Sequence, residues 1–96
     1  MKIYISGQIT GLPNNNAEQF EEAEKLVKKM GYKPVNPLKL HHRKNAKYKQ
    51  YLRKDLRALR RCQVILMLEG WEHSKGAEIE LEKAKKWRKK VIFQKD

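Results

Sequence analysis

Ninety-six residues suffice for one globular domain with a modest core, and a hydrophobic content of 40% separates the chain from disordered sequences. A formal net charge of +12 favours anionic partners such as nucleotides, nucleic acid or a membrane surface, although lysine-rich solvated helices give the same balance. One cysteine, Cys62, excludes an internal disulfide and suits a reducing cytoplasm; no signal peptide, no membrane span of roughly 18 apolar residues and no metal are expected, since His41 and His42 are adjacent and His73 stands alone.

Residues 2–6 read as a short strand centred on Ile3, Tyr4 and Ile5. The loop Gly7-Gln8-Ile9-Thr10-Gly11-Leu12-Pro13 follows. Its two glycines permit a tight backbone and the close approach of a ligand, as many strand-to-helix turns do. Asn14, Asn15 and Asn16 offer N-caps for a helix running to about residue 30, with Phe20, Ala23, Val27 and Met30 as its apolar stripe. Glu18, Glu21, Glu22 and Glu24 crowd its first half and Lys25, Lys28 and Lys29 its second, matching the helix dipole. Gly31 stands where a glycine stops a helix. Residues 32–35 predict a brief second strand despite Pro34, ended by Asn36-Pro37.

Residues 39–47 form a polar, basic loop, and residues 45–60 predict a second helix. Its inward stripe is Tyr48, Leu52, Asp55, Leu56 and Leu59, set among outward Arg53, Lys54, Arg57, Arg60 and Arg61. The continuous apolar run from Val64 to Leu68 suits a strand buried on both faces, at the centre of a parallel sheet. A loop through Trp71, a helix opening at Ser74 and a strand over residues 90–93 complete the chain. Strands alternating with helices predict an α/β fold: a small doubly wound parallel sheet, flavodoxin- or Rossmann-like, of about four strands with three main helices. In such sheets ligands bind beyond the carboxyl ends of the strands. The Gly7–Gly11 loop, the Trp71 loop and the Ser74 helix start all lie at that edge.

The last helix holds an anomaly. Ala77, Leu81, Ala84 and Trp87 recur at helical spacing, and Glu80 falls inside their stripe, whereas Glu78 and Glu82 point elsewhere. An inward carboxylate costs free energy unless something pairs with it or uses it. Asp55 repeats the pattern on the preceding helix. Paired carboxylates suit glycosidic chemistry, in which one attacks or stabilises an oxocarbenium-like carbon and the other protonates the leaving group. The plainer reading is a pair of acids satisfied by basic neighbours at the core rim. Ser74 with Gly76 leaves bare N–H groups for an anion, or forms an ordinary cap. Trp71 suits stacking on a base or covering the core edge. The basic helix invites nucleic acid but has no recognition motif or interleaved aromatics.

Ile3-Tyr4-Ile5-Ser6-Gly7-Gln8-Ile9-Thr10-Gly11, Asn36-Pro37, Asp55-Leu56 and Gly70-Trp71-Glu72-x-Ser74-x-Gly76-Ala77-x-x-Glu80 together resemble the nucleoside 2-deoxyribosyltransferase-like superfamily, in particular its short, often phage-encoded branch. The resemblance covers nearly the whole chain and implies a single domain over residues 1–96. It implies that Glu80 is the glutamate attacking C1′ of the sugar and that Asp55 assists around the base and sugar. Tyr4, Gly7 and Ile9 match positions that line the nucleoside pocket. A serine at position 74, with Gly76, matches the nucleotide N-glycosidases, which use it on the 5′-phosphate. The branch usually has proline in place of Gln8 and aspartate in place of Gln63. The expected function is therefore an N-glycosidase or (deoxy)ribosyltransferase acting on nucleoside 5′-monophosphates, in a cytoplasmic homodimer, without metal or organic cofactor and without a membrane partner. A non-catalytic nucleotide-binding module is the alternative, and a basic nucleic-acid-binding accessory protein a less favoured one.

Overall fold

A computed structural model describes residues 1–40 and 47–94 of the chain. Four strands form one sheet: β1 (Lys2–Ser6), β2 (Lys33–Val35), β3 (Val64–Met67) and β4 (Lys90–Phe93). All the pairings are parallel and the spatial order is β2-β1-β3-β4. Three main helices, α1 (Ala17–Lys29), α2 (Tyr48–Arg60) and α3 (Lys75–Lys86), connect them. The doubly wound α/β sheet expected from the sequence is thus the architecture observed. The second helix was expected from residue 45; positions 45 and 46 lie outside the described residues, as does most of the basic loop.

Strand alternation divides the core into two layers. Ile3, Ile5, Val64, Leu66 and Leu68 face α1, meeting Phe20, Ala23 and Val27. Tyr4, Ile65 and Met67 face the other way, against Leu59 of α2 and Ala77, Leu81 and Ala84 of α3. All four residues of β3 are buried, as its unbroken apolar run requires at the sheet centre. β2 tolerates Pro34 because it is an edge strand with β1 on one side only.

The helix ends follow backbone rules. Gly31, at φ +89, closes α1: its N–H donates to the Lys28 carbonyl while Tyr32 N–H donates to Val27. The same double bond closes α3, where Arg88 N–H reaches Lys85 and Lys89 N–H reaches Ala84, but the left-handed residue is Arg88 at φ +58. One expectation on α1 needs correction. Met30 lies beyond the last helical residue and is 56% exposed, so it leaves the apolar stripe. Glu24 is buried, its Oε1 accepting from Lys39 Nζ at 2.6 Å. The asparagines also differ from simple caps. Asn14, Asn15 and Asn16 all take left-handed backbone, a turn that Asn accepts more readily than most residues, and the Asn16 side chain accepts no hydrogen bond from the first-turn backbone of α1.

Candidate active site

β1 and β3 are the neighbours from which the chain winds in opposite directions, so the crevice beyond their carboxyl ends is the place where this fold receives ligands. A cleft of about 470 Å³ opens there. That volume lies in the range of small-molecule sites. Gly7 and Ile9 line it from the loop after β1, Asp55 from α2, and Gly76, Ala77 and Glu80 from α3. Gly7 allows the close fit of that loop: a Cβ on it would lie 3.0 Å from Leu68 Cβ and 3.1 Å from Leu68 Cδ1.

Glu80 projects from the second turn of α3 toward the sheet and is 6% exposed. Both carboxylate oxygens accept hydrogen bonds from β1. Tyr4 Oη donates to Oε2 at 2.7 Å and Ser6 Oγ donates to Oε1 at 2.7 Å. Tyr4 and Ser6 are two residues apart, so one strand face presents both donors. Burial raises the Glu80 carboxyl to about 7, while the Ser6 and Tyr4 hydrogen bonds pull the other way. The Tyr4 hydroxyl is itself pushed well above its usual value, by burial and by the Glu80 charge, and therefore stays a donor. Asp55 is also raised to about 7, by burial and by the Glu80 charge against a smaller opposing influence of Lys54. Of two acids sharing one site, Glu80 has the hydroxyl donors that favour its ionised form. For Asp55, burial and the Glu80 charge both favour the protonated form.

Ser74 caps α3, its Oγ accepting from Ala77 N–H at 3.2 Å. The N–H groups of Lys75 and Gly76 belong to the first turn and have no intrahelical acceptor. Gly76 faces the cleft while Ser74 sits one step back from its lining. The mouth is framed by Asn15 and by Pro37 and Leu38. Asn36 Oδ1 accepts from Leu38 N–H at 3.0 Å, and Lys39 ties the same short turn to Glu24. A chain of amides stitches the carboxyl edge together. Asn16 Nδ2 donates to the Gln8 carbonyl at 2.9 Å and to Gln19 Oε1, and Gln19 Nε2 donates to the Glu69 carbonyl at 3.1 Å.

The structure thus gathers Gly7, Ile9, Asp55, Gly76 and Glu80 around one cleft, with Tyr4 beneath Glu80 and Ser74 at its helix start. It does not bring Trp71 there. The turn Trp71–His73 carries that ring toward β4, where its centroid lies 5.9 Å from that of Phe93, so Trp71 covers the core edge and does not face a ligand in the cleft. Gln63 is also remote. It precedes β3, at the end opposite the cleft, and its Oε1 accepts from Lys2 N–H at 2.7 Å. An exchange of residue at position 63 therefore acts on the amino edge of the sheet. Gln8, the other departure, steadies the cleft loop by donating to the Thr10 carbonyl at 3.1 Å. Ser6 is the contact that sequence reasoning missed; a polar residue with the same parity as Tyr4 in a buried strand was the available signal. Among the described residues no group of three or more His, Cys, Asp or Glu is placed to hold a metal.

Solved structures share this fold. The 2-desoxiribosyltransferase from Leishmania mexicana matches 96% of this chain and 62% of its own, with TM-score 0.75 and 21% identity. The CMP N-glycosidase BcmB from Clostridium botulinum matches 97% of this chain and 67% of its own, with TM-score 0.69 and 17% identity. The chain therefore spans about three-fifths of the length of the Leishmania protein. Curated proteins yield no match. The family pattern described as a domain of unknown function (DUF4406) matches residues 1–93.

Proposed function

The chain belongs to the DUF4406 family, and from its cleft we propose that it cleaves or transfers the N-glycosidic bond of a nucleoside 5′-monophosphate. The observation that carries this reading is the buried Glu80 carboxylate, held on both oxygens by Tyr4 and Ser6 at the floor of a cleft that Asp55 also lines. A carboxylate so held has its rotamer fixed and its negative charge directed at whatever atom the cleft receives. The fold shared with a 2-desoxiribosyltransferase and a CMP N-glycosidase supports the choice of an N-glycosidic bond.

In the proposed reaction a Glu80 oxygen attacks C1′ of the sugar. The C1′–N bond breaks, its electron pair leaves with the base, and Asp55 supplies a proton to the departing nitrogen. The sugar is then esterified to Glu80. Asp55, now ionised, takes a proton from water as the water oxygen attacks C1′, which releases sugar phosphate and restores both carboxyl groups. A second base attacking in place of water yields transfer. The phosphate is received by the first-turn N–H groups of α3 and the Ser74 hydroxyl, where the helix dipole favours negative charge. The single-domain unit, its cytoplasmic setting and a homodimer belong to the same proposal.

The test is incubation with a panel of ribo- and deoxyribonucleoside monophosphates and chromatographic detection of free base. Glu80→Gln lowers turnover by more than about 10³-fold and Asp55→Asn by roughly 10²–10⁴-fold, with both variants folded. Nucleotide binding without release of base from any panel member would instead establish a binding module. Undiminished turnover in Glu80→Gln would remove the nucleophile from the mechanism.

A further inference from the structure

Beside the cleft, with Leu52 lining both, α2 and α3 enclose a second groove of about 430 Å³. Leu56 and Trp87 form its floor. Arg53, Arg57 and Arg60 rise from α2 on one side and Lys83 from α3 on the other. Arg53, Arg57 and Arg60 follow i, i+4, i+7 spacing, so they make one stripe that runs about 10 Å along the helix. No carboxylate lines the groove. Among the described residues the ion pair is Lys39–Glu24, and these four cations have no carboxylate within ion-pair distance.

An apolar floor between two helices with a cationic rim is the complement of an amphipathic helix that carries carboxylates beside an apolar stripe. We propose that this groove docks an acidic amphipathic helix of a partner protein. The partner's apolar side chains rest on Leu56 and Trp87, and its carboxylates meet the arginine stripe and Lys83. Two features favour that occupant over others. Trp87, with the Arg60 guanidinium 5.3 Å and Lys89 Nζ 5.9 Å from its centroid, is the one aromatic ring among the described lining residues, so successive bases have no run of rings on which to stack. Pairing of this groove with its copy on a second chain is disfavoured because each would bring Arg53, Arg57, Arg60 and Lys83 against the same four cations, whichever other face a homodimer uses.

The probe is a fluorescein-labelled synthetic helix with leucine on one face and glutamate on both flanks. It is compared by anisotropy with its composition-matched scramble and with an oligothymidylate. The amphipathic peptide binds about tenfold or more tightly than either comparison. The double variant Arg53→Glu/Arg57→Glu loses about tenfold or more in affinity for it and regains binding to the same peptide with lysine in place of glutamate. Both substituted residues are exposed on α2, and unchanged thermal unfolding of the variant separates loss of docking from loss of fold. Four results overturn the proposal: no binding, equal binding of the scramble, preference for the oligothymidylate, or salt-sensitive self-association of the chain that the charge reversal abolishes.

Discussion

Glu80 shows how one side chain can serve a site and oppose the fold. In the unfolded chain its carboxyl ionises near the ordinary 4.5, and in the folded chain near 7. Between those values the folded state keeps a proton that the unfolded state has given up. The stability tied to that proton is full below about 4.5 and is lost as the pH rises through about 7. Glutamine has nothing to ionise, so Glu80→Gln is more stable than the native chain at pH 8, by roughly 1–3 kcal/mol, and close to it at pH 4. Urea unfolding at the two pH values measures this; an equal difference at both would mean that burial of charge is not the cause. Ser6 acts on the same group. Its hydroxyl favours the ionised carboxylate, so Ser6→Ala moves the acid limb of the pH–rate profile to higher pH. A limb that stays in place, with only the maximal rate lowered, would assign Ser6 to packing. The inward position of Glu80 was legible from helical spacing. Its two donors were not, because they come from a strand 74 and 76 residues away in the chain.

At the scale of elements, the local rules of helix termination were met at Gly31 and strained at Arg88. Both α1 and α3 close through a left-handed residue, and only α1 has glycine there. A side chain in that conformation costs on the order of 1 kcal/mol. Arg88→Gly therefore stabilises the protein by about 0.5–1 kcal/mol after the greater flexibility of the unfolded glycine is counted. Chemical denaturation reads this directly, and a destabilised variant would show that the arginine side chain contributes more than its backbone costs. The four strands and three main helices were legible in the sequence. The turn Trp71–His73 was not, because three residues between an apolar run and a capped helix carry no period. Its direction decides that Trp71 packs with Phe93 instead of facing the cleft.

For the molecule as a whole, charge is the dominant feature. A chain of 96 residues at +12, with a single ion pair among the described residues, repels itself in the compact state. Screening weakens that repulsion within the Debye length, about 10 Å at 0.1 M salt. The melting temperature rises as sodium chloride increases from a few millimolar to about 0.1–0.2 M, and a flat profile would mean that the positive groups are too well spread to matter. The cleft and the cationic groove share Leu52 in their linings, with the acids Asp55 and Glu80 in the cleft and Arg53, Arg57, Arg60 and Lys83 in the groove.

Sequence by itself determined the alternation of strands and helices, the burial of the third strand on both faces and the presence of two inward acids. These are properties of short windows, in which side-chain direction follows from a period of two or of 3.6 residues. Tertiary structure alone decided that Tyr4 and Ser6 grip Glu80, that Asp55 reaches the same cleft and that Gln63 and Trp71 do not. Those outcomes depend on the strand order β2-β1-β3-β4, which brings β1 beside β3 and under α3. No local period encodes which strands become neighbours, because that choice is settled by packing both faces of the sheet at once.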